Sequence, residues 1–217
     1  MSLRIKYLEI FLSYSVIDRK LAGQMKRIFN RNGLKVFLAH DTIKPSADWQ
    51  DEILQHLQTM DVFIPLLTNN FKNSNWTGQE TGIAIQREVL IIPLNIEINP
   101  YGFIQKYQAI NISKISIEYT CEKLIKIIYE KMKNKFLDSI ILYFSKSDCF
   151  DDANERAKLI RKYDGYTVRQ LNKILKISYD NSQIHGAYTA QNILRNIISV
   201  HKSKLNKKLV TQLLKKL

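Results

Sequence analysis

The sequence is poor in the residues that most catalytic and metal-binding motifs require. It has 217 residues, of which two are cysteines, four are histidines and seven are glycines. Two cysteines are too few for a disulfide framework and lack zinc-binding spacing, so we expect a reducing, cytoplasmic setting. The histidines form no metal-binding pair, and so few glycines leave little room for a glycine-rich phosphate loop. The sequence therefore predicts no metal site and no resident cofactor.

Long apolar runs are also missing. No run approaches the 18 residues that would span a bilayer, and residues 1–9 lack the apolar segment of a signal peptide. We therefore expect no membrane association. The composition is otherwise ordinary for a globular protein, with 45% hydrophobic and 24% charged residues. The length is consistent with one or two domains.

Acidic residues are scarce at the end of the chain. The formal net charge is +13, and residues 196–217 contain six lysines and no acid. Such a charge attracts polyanions, but nucleic-acid binding usually adds interleaved aromatic residues or a known motif, and this segment has neither. We interpret the lysines as a solvated helix face and expect no nucleic-acid partner. The alternative, a nucleic-acid-binding module, would show binding that weakens steeply with salt.

The first part of the chain alternates short apolar runs with segments of helical periodicity. Near-continuous apolar runs are typical of strands that are covered on both faces. Alternation of strands and helices predicts an α/β fold, in which a parallel sheet has helices on both sides. The predicted strands are residues 9–14, 35–39, 61–67, 89–94 and 107–112.

From about Leu137 onward the sequence has helical periodicity only. Four amphipathic stripes follow one another, and none of the intervening segments has a comparable strand pattern. We therefore predict a domain at residues 1–136 that contains the sheet, followed by a small all-α domain at residues 137–217.

One polar segment between the third and fourth predicted strands could build a site. It contains Trp76 and Glu80, which are four residues apart and so share one face of a helix. In open α/β sheets, ligands bind at the carboxyl ends of strands where the strand order changes direction. With the order 2-1-3-4-5, that point lies between strands one and three. Residues 13–18 and 68–80 would then face each other across it.

The sheet-containing part has four segments in a characteristic order and spacing: EIFLSYS (9–15), VFLAHDTIKPSADW (36–49), DVFIPLLTNNFKNSNWTGQE (61–80) and VLIIPL (89–94). They resemble the prokaryotic type of TIR (Toll/interleukin-1 receptor) domain, and the resemblance covers roughly residues 7–136. It implies a flavodoxin-like, five-stranded parallel sheet of order 2-1-3-4-5.

The helical remainder contains the segments FDDANERAKLIRKYDGYTVRQLNKIL (150–175), NSQIHGAY (181–188) and NILRNII (192–198). It resembles a C-terminal module found behind some bacterial TIR and other defence-type domains, with a role in association or sensing.

The resemblance also implies an activity. Many TIR domains cleave NAD⁺ at the nicotinamide–ribose bond, and their catalytic glutamate closes a W-x-x-x-E pattern, here Trp76 to Glu80. The expected role of Glu80 is to stabilise an oxocarbenium-like transition state, and NAD⁺ is the substrate rather than a cofactor. Trp76 and Phe37 would stack on nicotinamide or shape its pocket. The expected substrate-binding residues are Trp76, Tyr14, Ser15, Phe37, His40 and Lys44.

Each of these residues also has an ordinary structural interpretation. Glu80 could be an exposed helix acid, and Trp76 could pack beneath its helix. Phe37 could belong to the core, whereas Tyr14 and Ser15 could simply turn the chain. His40 could be a surface or structural histidine. As a site residue, His40 or Lys44 would contact the pyrophosphate from the loop after the second strand.

Two functions from different classes follow from the resemblance. The first is an NAD⁺ nucleosidase in bacterial antiviral defence or immune signalling, which releases nicotinamide and either ADP-ribose or a cyclic ADP-ribose. The alternative is a non-catalytic TIR scaffold that acts by homotypic association, including mimicry of host signalling. Both involve an oligomer, and we expect self-association through the TIR domain and the C-terminal helices.

Overall fold

The computed structural model describes residues 5–38, 49–112 and 116–217. They form two compact units: Leu8–Lys131, and Met132–Leu217 together with residues 5–7. The first unit contains the sheet and the second is helical. The sequence analysis predicts a boundary between two domains after residue 136, and that boundary stays a prediction.

Within the described residues, the first unit is built on a six-stranded sheet in which all strand pairs are parallel. The strand order is β2-β1-β3-β5-β6, and the short strand β4 also pairs with β3. This arrangement confirms the predicted flavodoxin-like order 2-1-3-4-5, with β4 and β5 together forming the fourth predicted strand. The strands are β1 (Glu9–Ser13), β2 (Lys35–Leu38), β3 (Val62–Leu67), β4 (Leu90–Ile91), β5 (Leu94–Asn95) and β6 (Ile110–Asn111).

The fourth predicted strand is interrupted because two prolines meet across the sheet. β3 pairs with β4 through Val62 and Phe63, and with β5 through Leu66 and Leu67. This register brings Pro65 of β3 opposite Pro93. Proline has no N–H to donate to a ladder. The pairing therefore skips two residues of each strand and resumes at Leu66 and Leu94.

Helices flank this sheet. An apolar cluster joins the aromatic residues Phe11, Phe37 and Phe63 of three neighbouring strands to α2 and α4. The helix α1 contacts β2 and α5. The helices of this unit are α1 (Arg19–Arg31), α2 (Trp49–Thr59), α3 (Asn69–Lys72), α4 (Asn75–Gln86) and α5 (Ile117–Lys131), with 3₁₀ turns at Val16–Asp18 and Gly102–Ile104.

The second unit confirms the predicted helical C-terminal region. Its apolar stripes pack against one another; one cluster, for example, joins Leu171 and Leu175 to Ile198 and Leu213. In the part of the chain that the structure describes, none of the helices combines the length and apolarity needed to cross a bilayer. The helices are α6 (Lys133–Ser145), α7 (Phe150–Lys162), α8 (Val168–Asp180), α9 (Ser182–His185), α10 (Tyr188–His201) and α11 (Lys207–Leu214), with a 3₁₀ turn at Lys202–Lys204.

Candidate functional site

The candidate site lies where the strand order changes direction, at the carboxyl ends of β1 and β3. These strands are neighbours, and Ser13, the last residue of β1, pairs with Pro65 of β3. The chain continues from β1 into a 3₁₀ turn and from β3 into α3 and then α4. Ligands of open α/β sheets bind in this position, because the two connections leave a crevice between them.

Glu80 is buried at this point of the fold. Thr77, Glu80 and Ala84 form the buried face of α4, and the Glu80 side chain is only 2% exposed. The Ser13 hydroxyl donates a hydrogen bond to Glu80 Oε2. The structure therefore excludes the interpretation of Glu80 as an exposed helix acid.

Ser13 is a site residue that our sequence reasoning missed. Side chains alternate along a strand, so Ser13 lies on the same face of the sheet as Phe11. A small polar residue two positions after Phe11, at the end of a buried strand, is the signal that could have identified it. Its side chain is completely buried.

The environment changes the acidity of Glu80. Burial raises the pKa of its carboxyl from 4.5 to about 7, because the charged form loses its hydration. The hydrogen bond from Ser13 favours the charged form and acts in the opposite direction. At neutral pH the carboxyl therefore populates both protonation states, and small changes in its surroundings can shift the balance.

The segments that follow β1 and β3 are joined by a hydrogen bond. Thr68 Oγ1 donates to Asp18 Oδ2 at 2.8 Å, and the Thr68 side chain is buried. Together with the bond between Ser13 and Glu80, this contact confirms that residues 13–18 and 68–80 face each other. A third segment is connected through Asn69, whose backbone N–H donates to Glu97 Oε2 at 2.8 Å.

Trp76 lies in the first turn of α4, one helical turn before Glu80. Its side chain is half-buried. This position is consistent both with packing beneath the helix and with a role in shaping a pocket beside the carboxylate.

Tyr14 and Ser15 differ from each other in their exposure to solvent. Tyr14 is 1% exposed and belongs to the interior of the sheet unit. Ser15 is half-exposed and precedes the 3₁₀ turn, where its carbonyl accepts a hydrogen bond from the Asp18 N–H at 2.7 Å. In this conformation Ser15 has surface available for a ligand, whereas Tyr14 has almost none.

Phe37 is part of an aromatic stack in the core. Its ring lies 3.7 Å from the ring of His56 and 5.4 Å from that of Phe11, measured between centroids. His40 and Lys44, which we expect at the pyrophosphate, lie outside the described residues. The contacts predicted for them stay predictions.

The chain was also compared with known proteins. The family model described as "TIR domain" matches residues 10–128, which run from β1 into α5 and contain both Ser13 and Glu80. No curated protein matches the chain.

Proposed function

Because this chain belongs to the TIR domain family, we propose that it is an NAD⁺ glycohydrolase with Glu80 as its catalytic carboxylate. The observation that carries the proposal is the buried carboxylate of Glu80 at the switch point of the sheet, held by the Ser13 hydroxyl. Burial of a carboxylate lowers the stability of the folded protein, and ionisable groups whose pKa is perturbed by burial are concentrated at functional sites.

The proposed reaction needs few protein groups. In NAD⁺ the nicotinamide carries a positive charge and leaves as a neutral molecule, so its departure requires no general acid. Positive charge then develops on the ribose, as in glycoside hydrolysis. A carboxylate in a site with little water stabilises that charge more strongly than it would in bulk solvent. Glu80 in its ionised form would supply this stabilisation, and Ser13 would hold one of its oxygens.

The products depend on the nucleophile that reaches the ribosyl cation. Attack by water gives ADP-ribose, whereas attack by the adenine ring of the same molecule gives a cyclic ADP-ribose. In our proposal either product serves bacterial antiviral defence or immune signalling in the cytoplasm. Self-association, which is common among TIR domains, would regulate the activity.

The proposal is tested by incubating the purified full chain with NAD⁺ and separating the nucleotide products by chromatography. We expect nicotinamide release by the wild type and a loss of at least about 100-fold in Glu80→Gln, because that variant lacks the negative charge. Glu88→Gln is the matched control, since Glu88 is an exposed acid just beyond the end of the same helix. It should retain wild-type activity.

Two results would contradict the proposal. Equal nicotinamide release by wild type and Glu80→Gln would remove Glu80 from the mechanism. No release by the wild type at any protein concentration, including under crowding that promotes association, would favour the non-catalytic scaffold.

A further inference from the structure

We propose that Thr77 is a positioning residue for this site: its hydroxyl ties α4 to α3 and thereby holds Glu80 beside Ser13. The inference rests on the proposed function, because it concerns the same carboxylate. The Thr77 hydroxyl contacts the carbonyl oxygens of Phe71 and Ser74 rather than the Glu80 carboxylate. Thr77 therefore acts through the helix that both residues share.

The contacts of Thr77 are unusual for a helical threonine. Its side chain is 1% exposed, and its hydroxyl donates to the carbonyl oxygen of Phe71 at 2.6 Å. The carbonyl oxygen of Ser74 lies 2.9 Å from the same hydroxyl. Threonines inside helices commonly bond to a carbonyl three or four residues earlier in their own helix. Phe71 is six residues earlier and belongs to α3, so this bond crosses the junction between two helices.

Phe71 is a fixed point for that bond. Its ring is buried in the aromatic cluster beneath α2 and α4, which anchors α3 to the sheet. Its backbone N–H donates to Thr68 Oγ1 at 3.0 Å, and Thr68 in turn donates to Asp18. A helix of four residues has little stability of its own, so it depends on these contacts at both of its ends. A continuous series of hydrogen bonds therefore connects Asp18, through α3, to the first turn of α4.

Glu80 depends on the orientation of α4. Thr77 and Glu80 are three residues apart and lie on the same buried face of the helix. The burial of a carboxylate is unfavourable, and a rotation of the helix that brought Glu80 nearer to water would relieve that cost. The bond between Thr77 and Phe71 opposes such a rotation at the start of α4. At the other end, the Arg87 guanidinium donates to the carbonyl oxygen of Met60 at 3.0 Å.

The variants Thr77→Val and Thr77→Ser test the inference in the full chain. Valine has nearly the same shape but lacks the hydroxyl, whereas serine keeps it. We expect Thr77→Val to lower kcat at least about tenfold, because a displacement near 1 Å of a catalytic group strongly lowers the rate of the chemical step. KM should stay within about twofold, since the change acts on the catalytic group rather than on uniform substrate binding. Thr77→Ser should restore kcat to near the wild-type value.

Two threonines of the same chain provide matched controls. The hydroxyl of Thr81 donates within α4, to the carbonyl oxygen of Thr77 at 2.7 Å. Thr120 is as buried as Thr77, and its hydroxyl donates to the carbonyl oxygen of Ser116 at 3.0 Å. Both are ordinary helical contacts. Thr81→Val and Thr120→Val should therefore leave kcat and KM unchanged.

A second measurement does not depend on catalysis. The carboxyl of Glu80 can be titrated by NMR in the wild type and in each variant. If Thr77→Val lets Glu80 move toward water, the pKa of its carboxyl falls from about 7 toward 4.5. This measurement reports the position of Glu80 even if the wild type releases no nicotinamide, so the failure of the proposed function and that of the inference are distinguishable.

The inference is overturned if folded Thr77→Val keeps the kcat and the Glu80 pKa of the wild type. It is also overturned if Thr77→Ser is as impaired as Thr77→Val, because the hydroxyl would then not be the cause. If Thr77→Val does not fold, Asp18→Ala decides the question, since Asp18 is only half-buried and lies at the other end of the series. That variant should shift kcat and the Glu80 pKa in the same direction, and no shift would count against the inference.

Discussion

The hydroxyl of Ser13 donates a hydrogen bond to the carboxylate of Glu80, although the two residues are 67 positions apart. The contact exists because β1 and β3 are neighbours in the sheet, which brings the end of β1 under the helix that follows β3. The burial of the Glu80 carboxylate is unfavourable, and the hydrogen bond from Ser13 stabilises the charged form of that carboxylate.

The activity should depend on pH through Glu80. The ionised carboxylate is the form that stabilises a developing positive charge, and the pKa of this group is about 7. We therefore expect kcat/KM for NAD⁺ to rise about tenfold per pH unit below pH 7 and to level off above pH 8. Initial rates between pH 5 and pH 9 measure this profile. A rate that is already constant at pH 5.5 would contradict it.

Ser13→Ala should move that profile to higher pH. The substitution removes the hydrogen bond that favours the carboxylate, while burial continues to favour the neutral acid. We expect the midpoint of the kcat/KM profile to increase and the activity at pH 7 to fall. Ser178→Ala is the matched control, because Ser178 is an equally buried serine in α8. An unchanged midpoint in Ser13→Ala would show that the bond does not tune Glu80.

Glu80→Gln should stabilise the protein at alkaline pH. The folded state raises the pKa of Glu80 from 4.5 to about 7, so between these values it binds more protons than the unfolded state. The free energy of unfolding therefore falls as the pH rises through this interval. Since each unit of pKa difference corresponds to about 1.36 kcal/mol, the total decrease is up to about 3 kcal/mol. Glutamine does not titrate and avoids this loss.

Urea unfolding at pH 8 and pH 4.5 measures the effect. At pH 8, Glu80→Gln should be more stable than the wild type, and the advantage should disappear at pH 4.5. Glu88→Gln, at an exposed position, should show no such dependence. If the stability difference between wild type and Glu80→Gln is the same at both pH values, the shifted pKa of Glu80 is wrong.

Phe37→Leu distinguishes a core role from a substrate-binding role. Phe37 stacks on His56 and contacts Phe11, so the loss of the ring should lower the free energy of unfolding by about 1–2 kcal/mol. The KM for NAD⁺ should stay within about twofold. Urea unfolding and steady-state kinetics measure the two quantities. A KM that rises severalfold at unchanged stability would support our original expectation that Phe37 binds the substrate.

Glu88→Gly should stabilise the protein. Glu88 follows α4 with a φ of 53°, in the left-handed region that is unfavourable for a residue with a Cβ atom. Glycine adopts this conformation without the steric cost, so we expect a gain of about 1 kcal/mol. Thermal unfolding measures the gain, and nicotinamide release should not change. A lower melting temperature would mean that contacts of the Glu88 side chain outweigh its backbone strain.

The apolar runs and helical stripes of the sequence were sufficient to predict the parallel sheet and the helical region that follows it. Each apolar run indicates that its own strand is buried on both faces. In a helix, the W-x-x-x-E spacing places Trp76 and Glu80 one turn apart. The interruption of the fourth strand was not predicted. It depends on Pro65 and Pro93 lying opposite each other, and this is a matter of register between strands.

The amino-acid sequence by itself determined where the strands and helices form, apart from the break between β4 and β5, because those preferences act over a few neighbouring positions. Only the tertiary structure decided that Ser13 is the partner of Glu80, that Thr77 bonds to Phe71, and that Phe37 stacks on His56. Hydrogen bonds require distances near 3 Å between groups on different elements, and such distances arise only when the elements pack. The raised pKa of Glu80 has the same origin, because burial is a property of the assembled fold.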